Sequence, residues 1–154
     1  MYHMVHVQRI SVHGRTSATA EAVYALLRDG VTWPEWSPLG SFELVREGAD
    51  EPEGLGALRL FRTNGFSSYE EIVALEPGRR FGYALDHGLP LRDYVAYVDL
   101  TRVEGGTEIH WHSTFTAKIP GTGWFYRRFL GGFIKRVVAG LVAATDAAGA
   151  RSAP

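Results

Sequence analysis

The spacing of apolar residues changes several times along the chain and predicts an alternation of strand and helix. Apolar residues alternate over His6–Arg15, which predicts a first strand. They then recur at helical spacing over Thr19–Arg28, and Asp29-Gly30 ends that segment. Between Thr32 and Pro38 we expect only a short helical turn, because Pro34 suits a first helical position and the second proline prevents continuation.

From Ser41 onward the apolar period becomes two, which predicts six further strands. These are Phe42–Glu47, Ala57–Arg62, Ser67–Leu75, Arg80–Leu85, Asp93–Val103 and Thr107–Ala117. The links between them are short and rich in turn residues, including Asn64-Gly65 and Gly105-Gly106, which favour tight hairpins. Consecutive short links indicate an antiparallel meander, since parallel strands need longer crossovers.

A long amphipathic helix is predicted for Trp124–Ala148. One face carries Tyr126, Phe129, Leu130, Phe133, Val137, Leu141 and Ala144, and the opposite side carries Arg128, Lys135 and Asp146. At 1.5 Å per residue the helix is roughly 37 Å long, enough to cross a sheet. The strands are the only partner that can cover the apolar face of this helix. A sheet that curves around such a helix can leave a cavity between the two. Because glycine weakens a helix, Gly131-Gly132 predicts a kink or hinge.

The composition narrows the classes of function. We expect one domain over residues 1–154, with a frayed tail at about 150–154, as a monomer or weak homodimer. The net charge of −1 and the absence of a basic block argue against a nucleic-acid partner, and the absence of cysteine excludes thiolate chemistry. We expect no signal peptide and no stable membrane insertion, since charges interrupt the C-terminal apolar run, and we expect a cytoplasmic location.

Several motifs together carry a family resemblance. They are Trp33-Pro34-Glu35-Trp36-Ser37-Pro38, Gly54-Leu55-Gly56, Glu76-Pro77-Gly78-Arg79-Arg80-Phe81-Gly82-Tyr83, Gly88-Leu89-Pro90-Leu91-Arg92-Asp93-Tyr94, Gly105-Gly106-Thr107-Glu108-Ile109-His110-Trp111 and Ile119-Pro120-Gly121. With the order of elements, they resemble the START/Bet v 1-like (SRPBCC) superfamily, and within it the polyketide cyclase/dehydrase and lipid transport family. The resemblance implies an α+β helix-grip fold, in which a curved seven-stranded antiparallel sheet wraps around the C-terminal helix and two short helices follow strand 1. Members include lipid carriers, hormone binders, cyclases and co-chaperones, so the fold leaves the activity open.

Strand alternation and the helix face predict which side chains meet a ligand. For Ser67–Leu75 we choose the frame that turns Tyr69, Glu71, Val73 and Leu75 inward, although a slip of one residue would invert it. The predicted ligand-binding residues are Trp33, Trp36, Phe61, Tyr69, Glu71, Tyr83, Tyr94, Trp111, Phe115, Phe125, Phe129 and Phe133. Wide aromatic side chains with polar tips suit a mostly apolar pocket, or they simply fill the core.

Four residues are candidates for proton transfer: Glu71, Tyr83, Tyr94 and His87. A buried Glu71 would need a cationic partner such as Arg59 or Arg92, and would act either as an acid–base group or as a structural ion pair.

His110 and His112 share one side of a strand, but two ligands on the outer face do not make a metal site, so we expect no metal. No cofactor motif is present, and we expect no cofactor.

Three functions remain open at this point. The first is binding of a hydrophobic, partly aromatic small molecule, such as a lipid, polyketide-like or isoprenoid compound, without catalysis. The second is an enzyme of the polyketide cyclase, aromatase or dehydratase type. The third is a protein-interaction module of the co-chaperone or toxin-like kind.

Overall fold

The computed structural model describes residues 6–152, and it describes side chains up to residue 149. Its strands are β1 (Gln8–Thr16), β2 (Ser41–Arg46), β3 (Leu58–Thr63), β4 (Phe66–Glu76), β5 (Arg80–His87), β6 (Leu91–Val103) and β7 (Gly106–Ala117). Its helices are α1 (Ala20–Arg28), α2 (Trp33–Trp36) and α3 (Gly123–Ser152), with a 3₁₀ turn at Gly30–Thr32. The predicted α+β class and order of elements are confirmed.

Within the described range the strands form one antiparallel sheet, in the order β1-β7-β6-β5-β4-β3-β2. Strands β2 to β7 form the predicted meander, and β1 closes onto β7 with His13 opposite His110. The hairpin turns at Gly65 and Gly105 have φ of 100° and 83°, a conformation that glycine adopts without strain. The turn residues seen in the sequence therefore set the strand order.

The short helices connect the two edge strands, β1 and β2. The Thr19 side chain caps α1 by accepting a hydrogen bond from the Ala22 amide at 3.1 Å. The Trp33 indole then donates to the Leu27 carbonyl at 3.1 Å, which fixes α2 against the end of α1. Trp33 is buried at the centre of an aromatic core, with ring centroids 5.1 Å from Phe61 and 5.8 Å from Trp111.

Helix α3 packs on the inner face of the sheet, chiefly against β1, and two glycines allow close approach. A Cβ on Gly14 would lie 2.6 Å from a methyl group of Val138, and one on Gly140 would lie 1.7 Å from the carbonyl oxygen of Trp36. Gly140 therefore brings α3 into contact with the α2 backbone, where a larger side chain has no room. None of the helices in the described range is long and apolar enough to span a membrane.

The buried face of α3 is rotated from the predicted one. Its buried residues are Leu130, Ile134, Val137, Val138, Leu141 and Thr145. Asp146, expected on the far side, accepts hydrogen bonds from the Thr16 hydroxyl at 2.7 Å and from the Ser17 amide at 2.8 Å. The rotation arises because α3 leans on β1, so the helix turns the side that carries Ile134 and Val138 to the sheet.

The described helix continues without interruption through Gly131 and Gly132, and it extends to Ser152, beyond the predicted end. A bend or hinge at the glycine pair stays a prediction. Of the predicted frayed tail, residues 153 and 154 lie outside the described range.

Candidate functional site

A small cavity lies between the inner face of the sheet and the first half of α3, and we call it the α3 cavity. Its lining residues are Leu39, Phe66, Ser68, Glu70, Tyr83, Leu85, Leu89, Tyr94, Leu130, Phe133, Ile134 and Val137. Its volume is about 40 Å³, which is room for about three water molecules. Phe66, Leu85, Leu89 and Phe133 are only half-buried, so the cavity reaches the surface between the strand hairpins and the helix.

Glu70 places a carboxyl group in this mostly apolar lining. Its side chain is buried, and Oε2 accepts a hydrogen bond from the Ser68 hydroxyl at 2.8 Å. The other oxygen, Oε1, has no hydrogen-bond partner among the described residues. Burial raises the pKa of Glu70 to about 7, against the opposing effects of the Ser68 hydrogen bond and the Arg59 charge. Near neutral pH this carboxyl group can therefore both take up and release a proton.

Arg59 is the buried cation that faces Glu70 from the neighbouring strand. The two residues are direct partners in the β3–β4 register. The Arg59 guanidinium donates to Glu53 Oε1 at 3.2 Å and to the Leu27 carbonyl at 3.1 Å, and its carbon lies 4.9 Å from the Trp33 ring centroid. Desolvation lowers the pKa of Arg59 below its usual range, and the Glu70 and Glu53 charges offset only part of that effect.

Two tyrosines line the cavity beside Glu70. The rings of Tyr83 and Tyr94 are buried with centroids 6.1 Å apart, and the Trp111 indole donates to the Tyr83 hydroxyl at 3.3 Å. Burial raises the pKa of both phenols, and that of Tyr83 the more strongly. Both hydroxyls therefore stay protonated at neutral pH, and they share a side-chain hydrogen bond with each other.

The predicted ligand-binding residues fall into three groups. Tyr83, Tyr94 and Phe133 line the α3 cavity. A second group is buried in the core without lining the cavity, and it comprises Trp33, Trp36, Phe61, Trp111 and Phe115. The third group lies away from the lining and comprises Tyr69, Glu71, Phe125 and Phe129.

The inward placement of Glu71 and Tyr69 is wrong. Glu71 lies on the outer face, where Arg46 donates to it at 3.1 Å, and Tyr69 stacks on His87 with centroids 3.8 Å apart. Irregularities in the β4–β5 register, at Tyr69/Glu70 and again between Ile72 and Ala74, break the simple alternation. The inward frame is Ser68, Glu70 and Ile72, one residue out of step with the prediction.

Two other candidates lie at the surface. His87 is more than half exposed and hydrogen-bonds to its neighbour Asp86 at 2.7 Å, so it does not reach the cavity lining. Phe125 and Phe129 are 51% and 46% exposed on the first turns of α3. Phe129 packs edge-on against Phe66, which does line the cavity, so the Phe129 ring lies beside its opening.

Sequence reasoning missed Glu70, Ser68 and the aliphatic lining. The available signal was Arg59, whose inward position on β3 requires a buried acid opposite it. Arg59 lies two residues from Phe61 and therefore on the same face of β3. Because Arg59 pairs with Glu70 across the β3–β4 register, Glu70 and not Glu71 is the acid on that inner face.

These side chains form an apolar enclosure with one polar end. The polar end offers a carboxyl oxygen without a hydrogen-bond partner among the described residues and two phenol hydroxyls, and the buried Arg59 guanidinium lies on the neighbouring strand. Such an arrangement can hold an apolar molecule and orient a hydroxyl or amine on it. Its carboxyl pKa also suits proton transfer.

Comparison with known proteins gives a family and a set of similar structures. The family model described as Polyketide cyclase / dehydrase and lipid transport matches residues 8–146. A START superfamily protein from Mycobacterium smegmatis is 13% identical, with a TM-score of 0.78 over 91% of this chain and 98% of that chain. The protein XoxI from Bacillus cereus is 17% identical, with a TM-score of 0.75 over 90% of this chain and 95% of that one.

A plant protein shares the architecture as well. Major latex-like protein 151 from Panax ginseng is 15% identical, with a TM-score of 0.70 over 90% of this chain and 97% of that chain. At such low identities the structural likeness establishes the helix-grip fold alone. No curated protein sequence matches this chain.

Proposed function

This chain belongs to the polyketide cyclase/dehydrase and lipid transport family, and we propose that it binds a hydrophobic small molecule in the α3 cavity. The ligand would have an apolar body and one hydrogen-bonding group, a hydroxyl or an amine. The observation that carries this function is that buried Glu70, whose Oε1 has no hydrogen-bond partner among the described residues, lines a mostly apolar cavity. A buried polar atom without a partner costs free energy, and a ligand that pairs with it recovers that cost.

The size of the cavity sets a condition on binding. About 40 Å³ is far too small for a lipid or a polyketide-like molecule, since ligand pockets are typically about 300 Å³ or larger. Binding therefore requires the cavity to widen. Phe66, Leu89 and Phe133 are half-buried at its opening and are the side chains that can move at least cost.

Native mass spectrometry of gently purified protein tests this function. We expect a fraction of the protein to carry an added mass of a few hundred daltons, which organic extraction recovers as an apolar compound. The Leu89→Trp variant, which narrows the opening, should carry less. Protein that retains no added mass and takes up none from a panel of fatty acids, isoprenoid alcohols and aromatic polyketides would overturn it.

A second function is favoured by one specific observation. The pKa of Glu70 near 7, beside two phenol donors, suits an acid–base group of a cyclase or dehydratase. Glu70→Gln separates the two functions, because Gln keeps a hydrogen-bonding group but cannot transfer a proton. A binding protein would retain ligand with the substitution, whereas an enzyme would bind substrate and lose turnover.

A further inference from the structure

A group of histidines and an aspartate meets on the outer face of the sheet, on the side away from the α3 cavity. His110 and His112 project from β7, and Asp99 projects from β6, where it is the direct register partner of His110. The imidazole rings of His110 and His112 stack with centroids 4.6 Å apart. On the next strand, β1, His13 stacks on His110 at 4.2 Å.

Three of these residues have the geometry of a metal-binding set. Asp99, His110 and His112 each offer one ligand atom, and the three atoms lie within 4.8 Å of one another. Donor atoms around a tetrahedral zinc ion, at about 2.0–2.1 Å from the metal, are roughly 3.3 Å apart. His112 Nε2 and Asp99 Oδ2 are 2.7 Å apart, and side-chain rotation must bring the His110 donor, which lies within 4.8 Å of the others, to coordination distance.

The surrounding residues hold these side chains in place. Arg80 contacts both oxygens of Asp99, with Nε to Oδ1 at 2.6 Å and Nη2 to Oδ2 at 3.0 Å. His110 Nε2 and the Ser11 hydroxyl lie 2.8 Å apart. Such outer contacts orient metal ligands and are a regular part of metal sites, although the positive charge of Arg80 reduces the affinity for a cation.

The strand framework fixes the backbone positions of these residues. β6 and β7 are paired along almost their whole length, from Leu91 opposite Ala117 to Val103 opposite Gly106. His112 and Asp99 are each about 30% exposed, so an ion can reach them from solvent without any opening of the fold. The sequence alone shows only the two histidines, because Asp99 joins them through the strand register.

We propose that Asp99, His110 and His112 form a binding site for a divalent first-row transition metal of the zinc type. Two imidazoles and one carboxylate suit Zn²⁺, Ni²⁺ or Cu²⁺ more than Mg²⁺ or Ca²⁺, which prefer all-oxygen ligands. With three protein ligands the ion keeps at least one open position, which a water molecule or an exogenous ligand can fill. This site is independent of the α3 cavity, on the opposite face of the sheet.

Isothermal titration calorimetry of the full chain with Zn²⁺ tests the site. Before the titration, each variant is checked in the presence of a chelator for an unchanged circular dichroism spectrum and melting temperature. We expect one equivalent of Zn²⁺ to bind. His110→Ala and His112→Ala should each weaken binding by at least about tenfold, since even the loss of an outer contact weakens metal binding by about 10–100-fold. His6→Ala removes an exposed histidine away from the set and should leave the affinity unchanged.

A second measurement distinguishes the site from a purely structural cluster. Co²⁺ bound to the chain should show visible absorption bands of a four- or five-coordinate ion, and these bands should disappear in the His110→Ala/His112→Ala double variant. A chain that binds Zn²⁺ no more tightly than this double variant overturns the proposal. Unchanged affinity in both single histidine variants overturns it as well, because the metal would then be held by other groups.

Discussion

Arg59 and Glu70 are direct partners across the β3–β4 strand pair, both side chains are buried, and Glu70 lines the α3 cavity. The arginine donates through Nη1 to Glu53 and to the Leu27 carbonyl. Its Nε and Nη2 atoms, like Oε1 of Glu70, have no hydrogen-bond partner among the described residues. Taking two charges out of water costs several kcal/mol per ion, so this pair is expensive to bury. A cavity that needed only apolar filling would not require it.

The first prediction concerns the pH dependence of stability. Because burial raises the pKa of Glu70 from 4.5 to about 7, the folded chain holds a proton between these values that the unfolded chain releases. The contribution of Glu70 to the free energy of unfolding is fully present below about pH 4.5, and it is lost as the pH rises through about 7. The loss is on the order of 3 kcal/mol in the free energy of unfolding.

Urea denaturation at several pH values between 4.5 and 8 measures this effect. Glu70→Gln should remove most of the decline, while Glu71→Gln, one residue away on the exposed outer face, should keep it. If the Glu70→Gln and wild-type curves run parallel across this range, the pKa of Glu70 is not raised in the folded state.

The second prediction concerns the loss of the buried cation. Arg59→Met leaves Glu70 and Glu53 without their shared partner and should lower the free energy of unfolding by about 3–5 kcal/mol at pH 8. Adding Glu70→Gln to this variant should recover part of the loss, because one uncompensated charge is then removed. A double-mutant cycle by urea denaturation measures the coupling, and strictly additive effects would show that the two side chains do not interact.

The third prediction concerns two glycines of α3 in different surroundings. Gly140→Ala places a Cβ 1.7 Å from the Trp36 carbonyl oxygen, so α2 and α3 must separate, and we expect a loss of about 1–3 kcal/mol. At Gly131 a Cβ meets nothing within 4 Å, and Gly131→Ala should stabilise the helix by up to about 1 kcal/mol. Thermal unfolding of the two variants should shift in opposite directions. A Gly140→Ala variant as stable as wild type would show that α3 does not approach α2 this closely.

Local patterns in the sequence were enough to predict the order of elements, whereas the helix-grip fold was implied by the family resemblance. The strand period, the turns at Asn64-Gly65 and Gly105-Gly106, and the capped start of α1 each depend on neighbouring residues alone. These signals give the order of elements and, through the short links, the antiparallel pairing. The observed element bounds differ from the predicted ones by a few residues at most, apart from the C-terminal end of α3.

The candidate site was less predictable, because it depends on register. In β4 the sequence Tyr69-Glu70-Glu71 is compatible with either Glu70 or Glu71 pointing inward. The pairing of β4 with β5 is irregular, so simple alternation along the whole strand gave the wrong one of the two. The side that α3 turns to the sheet likewise depends on its contact with β1 at Gly14. The amphipathic pattern of the helix does not reveal this contact. The position of the Asp99 carboxylate beside His112 was also not predictable from local patterns, because the pairing of β6 with β7 brings the two residues together.

A fluorescence titration with Nile red, a neutral apolar probe, tests most directly whether a hydrophobic molecule binds between the sheet and α3. Leu89→Trp fills the opening of the α3 cavity, and Val73→Trp places the same bulk on the exposed outer face as a control. We predict saturable binding to the wild-type chain and to Val73→Trp, with affinity at least about tenfold weaker for Leu89→Trp, a difference of about 1.4 kcal/mol. No saturable binding to the wild-type chain, or equal affinity in the two tryptophan variants, would contradict it.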